Sequence, residues 1–331
     1  MKYIKINTIQ NVDEFSFIEK NIFLIKNNKL FLSNILIKEG DFSFFGIYNK
    51  QQLVFDEDNF HTLIYSSKGK LITKIEEYAL RHIFTFNNGN SLVGGNDGKT
   101  TFYGIYNFTK NKMIKRYDNL GLNGIYQVLN DNLFLSQNNE KFGVFNFDNT
   151  CIWQHNYSDL FGSNYKGITP TNLINIKEKL YVCFGRTTFC IDIETGNIEH
   201  TYKDYFSVAE NEFLYGLKPT DKRTNFYITI LNTTTQKIER IDILDELKKH
   251  NIYTDQNFAV QNGLIYFKQS MGADVARIGI LDPKTAKLIW KYDLPKGSGQ
   301  VGSIQVQGDR IYVHTQDKTL HIFEKQKNTI A

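Results

Sequence analysis

The sequence predicts an all-β chain, a single β-propeller of about seven four-stranded antiparallel blades occupying residues 1–331. Three observations carry this expectation. One hairpin pattern recurs seven times, a second hairpin follows most copies, and the composition suits strands, with 26 Phe and 19 Tyr and little alanine. A hydrophobic fraction of 41% supplies a substantial core and argues against intrinsic disorder.

The recurring hairpin is an apolar-alternating strand, a short polar turn and a strand that opens on a large apolar residue. Its first copy runs from residues 22–26 through Asn27-Asn28-Lys29 to Leu30-Phe31-Leu32. The next two turn at Asn87-Asn88-Gly89-Asn90 and Asn130-Asp131-Asn132, and four more turn at Lys177-Glu178-Lys179, Glu210-Asn211-Glu212, Asn262-Gly263 and Gly308-Asp309. Asn, Asp and Gly tolerate the positive φ that tight hairpins need, so turn chemistry and strand pattern agree. The second hairpin is clearest at residues 189–198 and 278–290, and recurs at 65–71, 102–117, 142–153 and 226–243. Two hairpins in succession make a four-stranded antiparallel blade.

Two places depart from the repeat. Residues 36–60 add a hairpin, either an insertion in the first blade or an eighth blade; the expectation adopted is seven. The last unit ends without an outer strand, and Tyr3-Ile4-Lys5-Ile6 is expected to supply it, closing the ring and covering an open sheet edge. Residues 243–250 read as a short amphipathic helix with acids before bases, as the helix dipole favours. Its plain role is to fill space beneath two blades.

The segments Asp192-Ile193-Glu194-Thr195-Gly196-Asn197 and Asp282-Pro283-Lys284-Thr285, with Trp290 following, resemble the repeat of quinoprotein-like (PQQ-like) propellers. Enzymes of that family hold the quinone with a tryptophan platform, a calcium site and often a disulfide between adjacent cysteines. None of these carries over, because Cys151, Cys183 and Cys190 are not adjacent, while Trp153 and Trp290 lie in blade hairpins. The resemblance therefore implies the non-enzymatic subset, which includes protein-assembly scaffolds, with no quinone cofactor.

Composition sets further expectations. The formal net charge of +4 is spread without a basic block, which gives no electrostatic case for nucleic acid or a membrane surface. The N-terminus alternates polar and apolar residues rather than forming a secretory leader, and three unpaired cysteines suit a reducing, bacterial-type cytosol. No nucleophile elbow, metalloprotease helix, phosphate loop or calcium loop is present, so no catalytic, cofactor or metal residue is assigned. Gly94-Gly95-Asn96-Asp97-Gly98-Lys99 reads as a turn, and His82, His314 and His321 as structural.

The remaining chemistry lies in the connections between the second and third strands of each blade and between blades. These hold Asp97, Lys99, Asn139, Lys141, Arg186, Lys222, Arg223 and Asp317, with Phe161 and Tyr165 in a longer connection. A solvated polar rim is the plain reading; charges around exposed aromatics on a rigid scaffold are also what a protein-binding face requires. The expected function is therefore protein binding without catalysis, in one version by an immunity protein that inhibits a cognate toxin or secretion-system effector. The alternatives are a propeller hydrolase or lyase with carboxylates or histidines converging from several blades, and a lectin-like glycan binder.

Overall fold

A computed structural model describes residues 1–162, 169–219, 226–252, 258–271 and 275–326. The chain divides into two compact units, residues 11–167 and residues 1–10 with 168–331. Eight four-stranded antiparallel sheets, here blades 1–8, are present among the described residues. Blades 1–4 start at strands Glu14–Ile18, Phe42–Tyr48, Ala79–Thr85 and Gln127–Val128 and belong to the first unit. Blades 5–8 start at Asn172–Ile176, Val208–Glu210, Phe258–Gln261 and Val301–Gln307 and belong to the second.

The expected count of seven is corrected to eight, because the first two blades are divided differently from the sequence reading. The hairpin at residues 22–32 is the second and third strands of blade 1, and Glu14–Ile18 pairs with Asn21–Ile25 before it. Their turn is built at Glu19, whose φ is 57°. Glutamate rarely takes this left-handed conformation, so the turn carries no residue signal. Phe42–Tyr48 and Gln51–Asp56, read as an inserted hairpin, open a complete blade 2 that ends at Leu71–Ile75.

Within a blade, the middle strands are covered on both faces and the fourth is not. Lys179–Phe184 and Thr187–Asp192 of blade 5 are almost wholly buried, whereas its fourth strand Ile198–Tyr202 is exposed up to its last residue. The fourth strand is an edge, and in seven blades its pairing carries a register shift, such as those at Ile105/Tyr106, Val144/Phe145 and Ile280/Leu281. Such irregularities twist an edge away from flat pairing with another chain.

Apolar cores lie between consecutive blades of each unit. Phe23, Leu30, Val54 and Leu63 join blades 1 and 2, and Leu53, Ile64, Val93, Phe102 and Tyr106 join blades 2 and 3. In the second unit Ile228, Leu217, Ile265 and Phe267 join blades 6 and 7. The expected helix is present as α1's longer counterpart: α1 is Tyr157–Phe161, and α2 is Leu244–Lys249. Leu247 of α2 enters the core of blades 6 and 7, Glu246 accepts a bond from Leu288 N at 3.1 Å, and Arg277 donates to the Asn251 carbonyl at 2.8 Å just past the helix.

Tyr3–Ile9 pairs antiparallel with Leu320–Lys325 and is the fourth strand of blade 8. Tyr3 is 4% exposed, its ring lies 5.4 Å from that of Trp290, and its hydroxyl is 3.4 Å from that of Tyr266. Trp290 lies in the blade 7 hairpin, as the sequence placed it, and meets Phe323 of blade 8 edge-on at 5.6 Å. The Asp-x-x-Thr segments lock turns: Asp192 accepts from Thr195 N and Oγ1, both at 2.9 Å, and Asp282 from Thr285 Oγ1 at 3.0 Å. Cys183 and Cys190 are buried in blade 5, and Cys151 is exposed.

Candidate functional site

The described candidate residues fall where the sequence placed them in the chain. Asp97 and Lys99 lie between Ser91–Asn96 and Thr101–Asn107, Asn139 precedes Lys141–Asn146, and Phe161 ends α1. In the other unit, Arg186 precedes Thr187–Asp192 and Asp317 precedes Leu320–Lys325. Tyr165, Lys222 and Arg223 lie outside the described residues.

Two of the acids are occupied in holding turns. Asp97 accepts from Lys99 N at 3.0 Å, Thr100 N at 2.8 Å and Arg116 Nη1 at 2.8 Å, and these bonds hold its carboxyl well below the usual carboxylate range. Asn96 Oδ1 accepts from Gly98 N at 2.7 Å; of the stretch read as a turn, residues 97–99 form it and Gly94, Gly95 and Asn96 end the preceding strand. Asp317 accepts from Thr315 Oγ1 at 2.6 Å and Thr319 N at 3.2 Å. Lys99, Asn139 and Arg186 are exposed.

A groove of about 860 Å³ opens beside the Asp97 turn, within the unit of residues 11–167. Ligand clefts commonly span about 300–1,000 Å³. Phe45, Phe55 and Phe60 of blade 2 form one side, and Arg81, His82, Ile83, Asn96, Thr101, Phe102 and Tyr103 of blade 3 another. The connection of residues 118–126, leading into blade 4, completes it. None of the sequence-nominated residues lines this groove, although Asn96 and Thr101 flank the Asp97 turn.

Local packing explains its shape. Phe45 and Phe55 stack at 4.8 Å, and Phe60 meets Phe55 edge-on at 5.4 Å. The outer end of the Phe102 ring covers Gly95, where a Cβ would stand 2.3 Å from it, and the Arg116 guanidinium lies over the ring at 4.1 Å. The 118–126 connection is held from below by Ser136, which is fully buried: its Oγ donates to Gly124 O at 2.6 Å and accepts from Leu122 N at 2.8 Å. Gly121 has φ +66°, and a Cβ there would stand 2.5 Å from Ser136.

The electrostatics of the groove are sparse. Burial pushes the His82 imidazole down to about 4, so it is neutral near pH 7, with Nε2 2.9 Å from Thr85 Oγ1. Asp118 is exposed and faces Arg116 Nε at 3.4 Å. The lining thus offers aromatic faces, asparagine amides, one guanidinium and one carboxylate, a combination suited to binding rather than to acid–base work by paired carboxylates. Among the described residues, no three or more His, Cys, Asp or Glu side chains are grouped to hold a metal ion. His314 and His321 stand on neighbouring strands, with His321 buried beside Thr315.

The aromatic side of the groove is present in the sequence as Phe45, Phe55 and Phe60, inside the stretch read as an insertion. Because this stretch opens blade 2, its rings stand beside blade 3.

No family model matches this sequence, and no curated protein does. Solved structures do. BamB from Moraxella catarrhalis is 10% identical over 100% of both chains, with a TM-score of 0.57. The computationally designed Ika8 protein is 12% identical over 96% of each chain, with a TM-score of 0.58. The Pan2 WD40 domain of Neurospora crassa is 8% identical over 98% of this chain and 96% of its own, with a TM-score of 0.50. At these identities the likeness concerns the fold alone. Together with the eight four-stranded sheets, it makes the chain an all-β propeller of antiparallel blades, which is the level at which the PQQ-like resemblance holds.

Proposed function

We propose that this chain is a non-catalytic protein-binding β-propeller, working in the cytosol as one domain whose ring is closed by Tyr3–Ile9. The observation that carries the reading is the groove of residues 45–126: aromatic, poor in titratable groups and rimmed by exposed polar turns. Protein-binding surfaces combine such apolar anchors with a polar rim. Within the unit that holds the groove, Lys99, Asn139 and Lys141 are proposed as further contacts, with Asp97 and Phe161; Arg186 and Asp317 are proposed as contacts of the other unit by itself. The finer version is an immunity protein that caps a cognate toxin or secretion-system effector.

Affinity capture tests this reading. The full chain, used as bait in lysate of its own source cells, should recover a stoichiometric protein that is lost when groove and turn residues are substituted together. Repeated recovery of no stoichiometric protein would refute it, and selective retention on saccharide ligands would replace it with the lectin-like alternative. For the immunity version, coexpression should relieve the toxicity of the captured protein; unrelieved toxicity would remove that version alone.

A further inference from the structure

The charged groups around the groove are unequally committed. Arg116 bonds to Asp97 at 2.8 Å and to Thr100 Oγ1 at 2.7 Å, covers Phe102, and faces Asp118. Arg81 is exposed on Ala79–Thr85, and its guanidinium makes no ion pair or hydrogen bond among the described residues. His82 beside it is neutral, and Asp118, the one acid in the lining, lies against Arg116. The uncommitted charge in the groove is therefore a single cation.

Apolar surface flanks that cation. Ile83 is 38% exposed and Tyr126 43%, while Phe45 and Phe55 are half-buried. Ala79–Thr85 is moreover an edge strand of blade 3, paired on one side with Ser91–Asn96. An arginine on a strand edge offers a planar donor pair to a carboxylate held by an extended backbone.

We propose that the groove takes an extended segment of a partner protein in which a carboxylate side chain pairs with Arg81 and a nearby large apolar side chain lies against Phe45, Phe55 and Ile83. The proposal rests on the protein-binding reading of this groove and names the chemistry of its partner. A partner segment lacking the acid would leave Arg81 as before but would forfeit the charge-assisted bonds. A basic segment would be repelled.

The test is selection from a random peptide library on the full wild-type chain and on R81E, followed by affinity measurement of the enriched peptides. Wild type should enrich peptides with Asp or Glu near an aromatic or large aliphatic residue. Replacing that acid with its amide should weaken binding about 10- to 100-fold, the range expected for a hydrogen-bonded charge pair. R81E should lose the acidic peptides by a similar factor, enrich Lys- or Arg-containing ones instead, and melt like wild type, since an exposed side chain adds little to stability. Enrichment without an acidic preference, equal binding by R81E, or no enrichment on the wild-type chain would overturn the proposal. Capture of a native partner that is insensitive to R81E would overturn it while leaving the protein-binding reading intact.

Discussion

Ser136→Ala probes how the groove wall is held. Ser136 Oγ is buried and joins two backbone groups of the 118–126 connection, donating to Gly124 O at 2.6 Å and accepting from Leu122 N at 2.8 Å. The substitution removes both bonds and adds no bulk. Each bond is worth about 1 kcal/mol net, and each partner left unsatisfied adds up to about 1–3 kcal/mol. The two partners are partly buried, so water recovers part of that, and a loss of about 2–3 kcal/mol follows. In compact units of about 150–250 residues, 1 kcal/mol moves Tm by about 2–4 °C, so the transition that reports residues 11–167 should fall by about 4–12 °C. Calorimetry on the full chain reads this directly, and amide exchange should locate the loosening at residues 120–125. A shift below 1 °C with unchanged exchange there would refute the assignment of Ser136 as the anchor of that wall.

Three further outcomes follow. Tyr3→Ala empties a buried site between Trp290 and Tyr266 and should cost about 3–5 kcal/mol by urea titration, whereas a change under about 1 kcal/mol would contradict the docking of Tyr3–Ile9 on blade 8. His82 is half-buried and neutral, with its pKa lowered to about 4 by desolvation, so its contribution is complete above the unfolded value near 6.5 and declines as pH falls toward 4. Allowing for its partial exposure, wild type should lose about 1–3 kcal/mol more than His82→Gln between pH 7.5 and 4.5, and parallel pH profiles would refute this. Charge reversal of Arg186, Lys222 and Arg223 together should slow association with a captured partner and leave melting unchanged; unaltered kinetics at low salt would remove those residues from the interface.

Much of the fold was legible because hairpin turns were spelled in Asn, Asp and Gly. Asn130, Asn262 and Gly308 mark real turns between first and second strands, and the Asp192 and Asp282 turns between third and fourth strands. The outer position of Tyr3–Ile9 followed from the strand missing in the last blade. Blade 1 was not legible, because Glu19 adopts left-handed backbone that its side chain does not advertise. Blade 2 is hidden in turn, since its opening hairpin follows a blade whose first strand no turn residue announces.

The site was less legible than the fold. Asp97 looked like a surface acid, yet its oxygens are taken by its own turn and by Arg116, a residue further along the chain. Arg81 carried no signal, because its isolation depends on what Arg116, Asp97 and Asp118 do with one another. The groove joins side chains from residues 45–60, 79–103 and 118–126, and only packing between neighbouring blades brings these stretches together.

The most direct test of protein binding through this groove is hydrogen exchange on the full chain with and without its captured partner. The account predicts new protection along residues 79–83 and 118–126, with smaller changes at the Asp97 turn. Protection confined to other blades, with these segments exchanging as in the free chain, would contradict it.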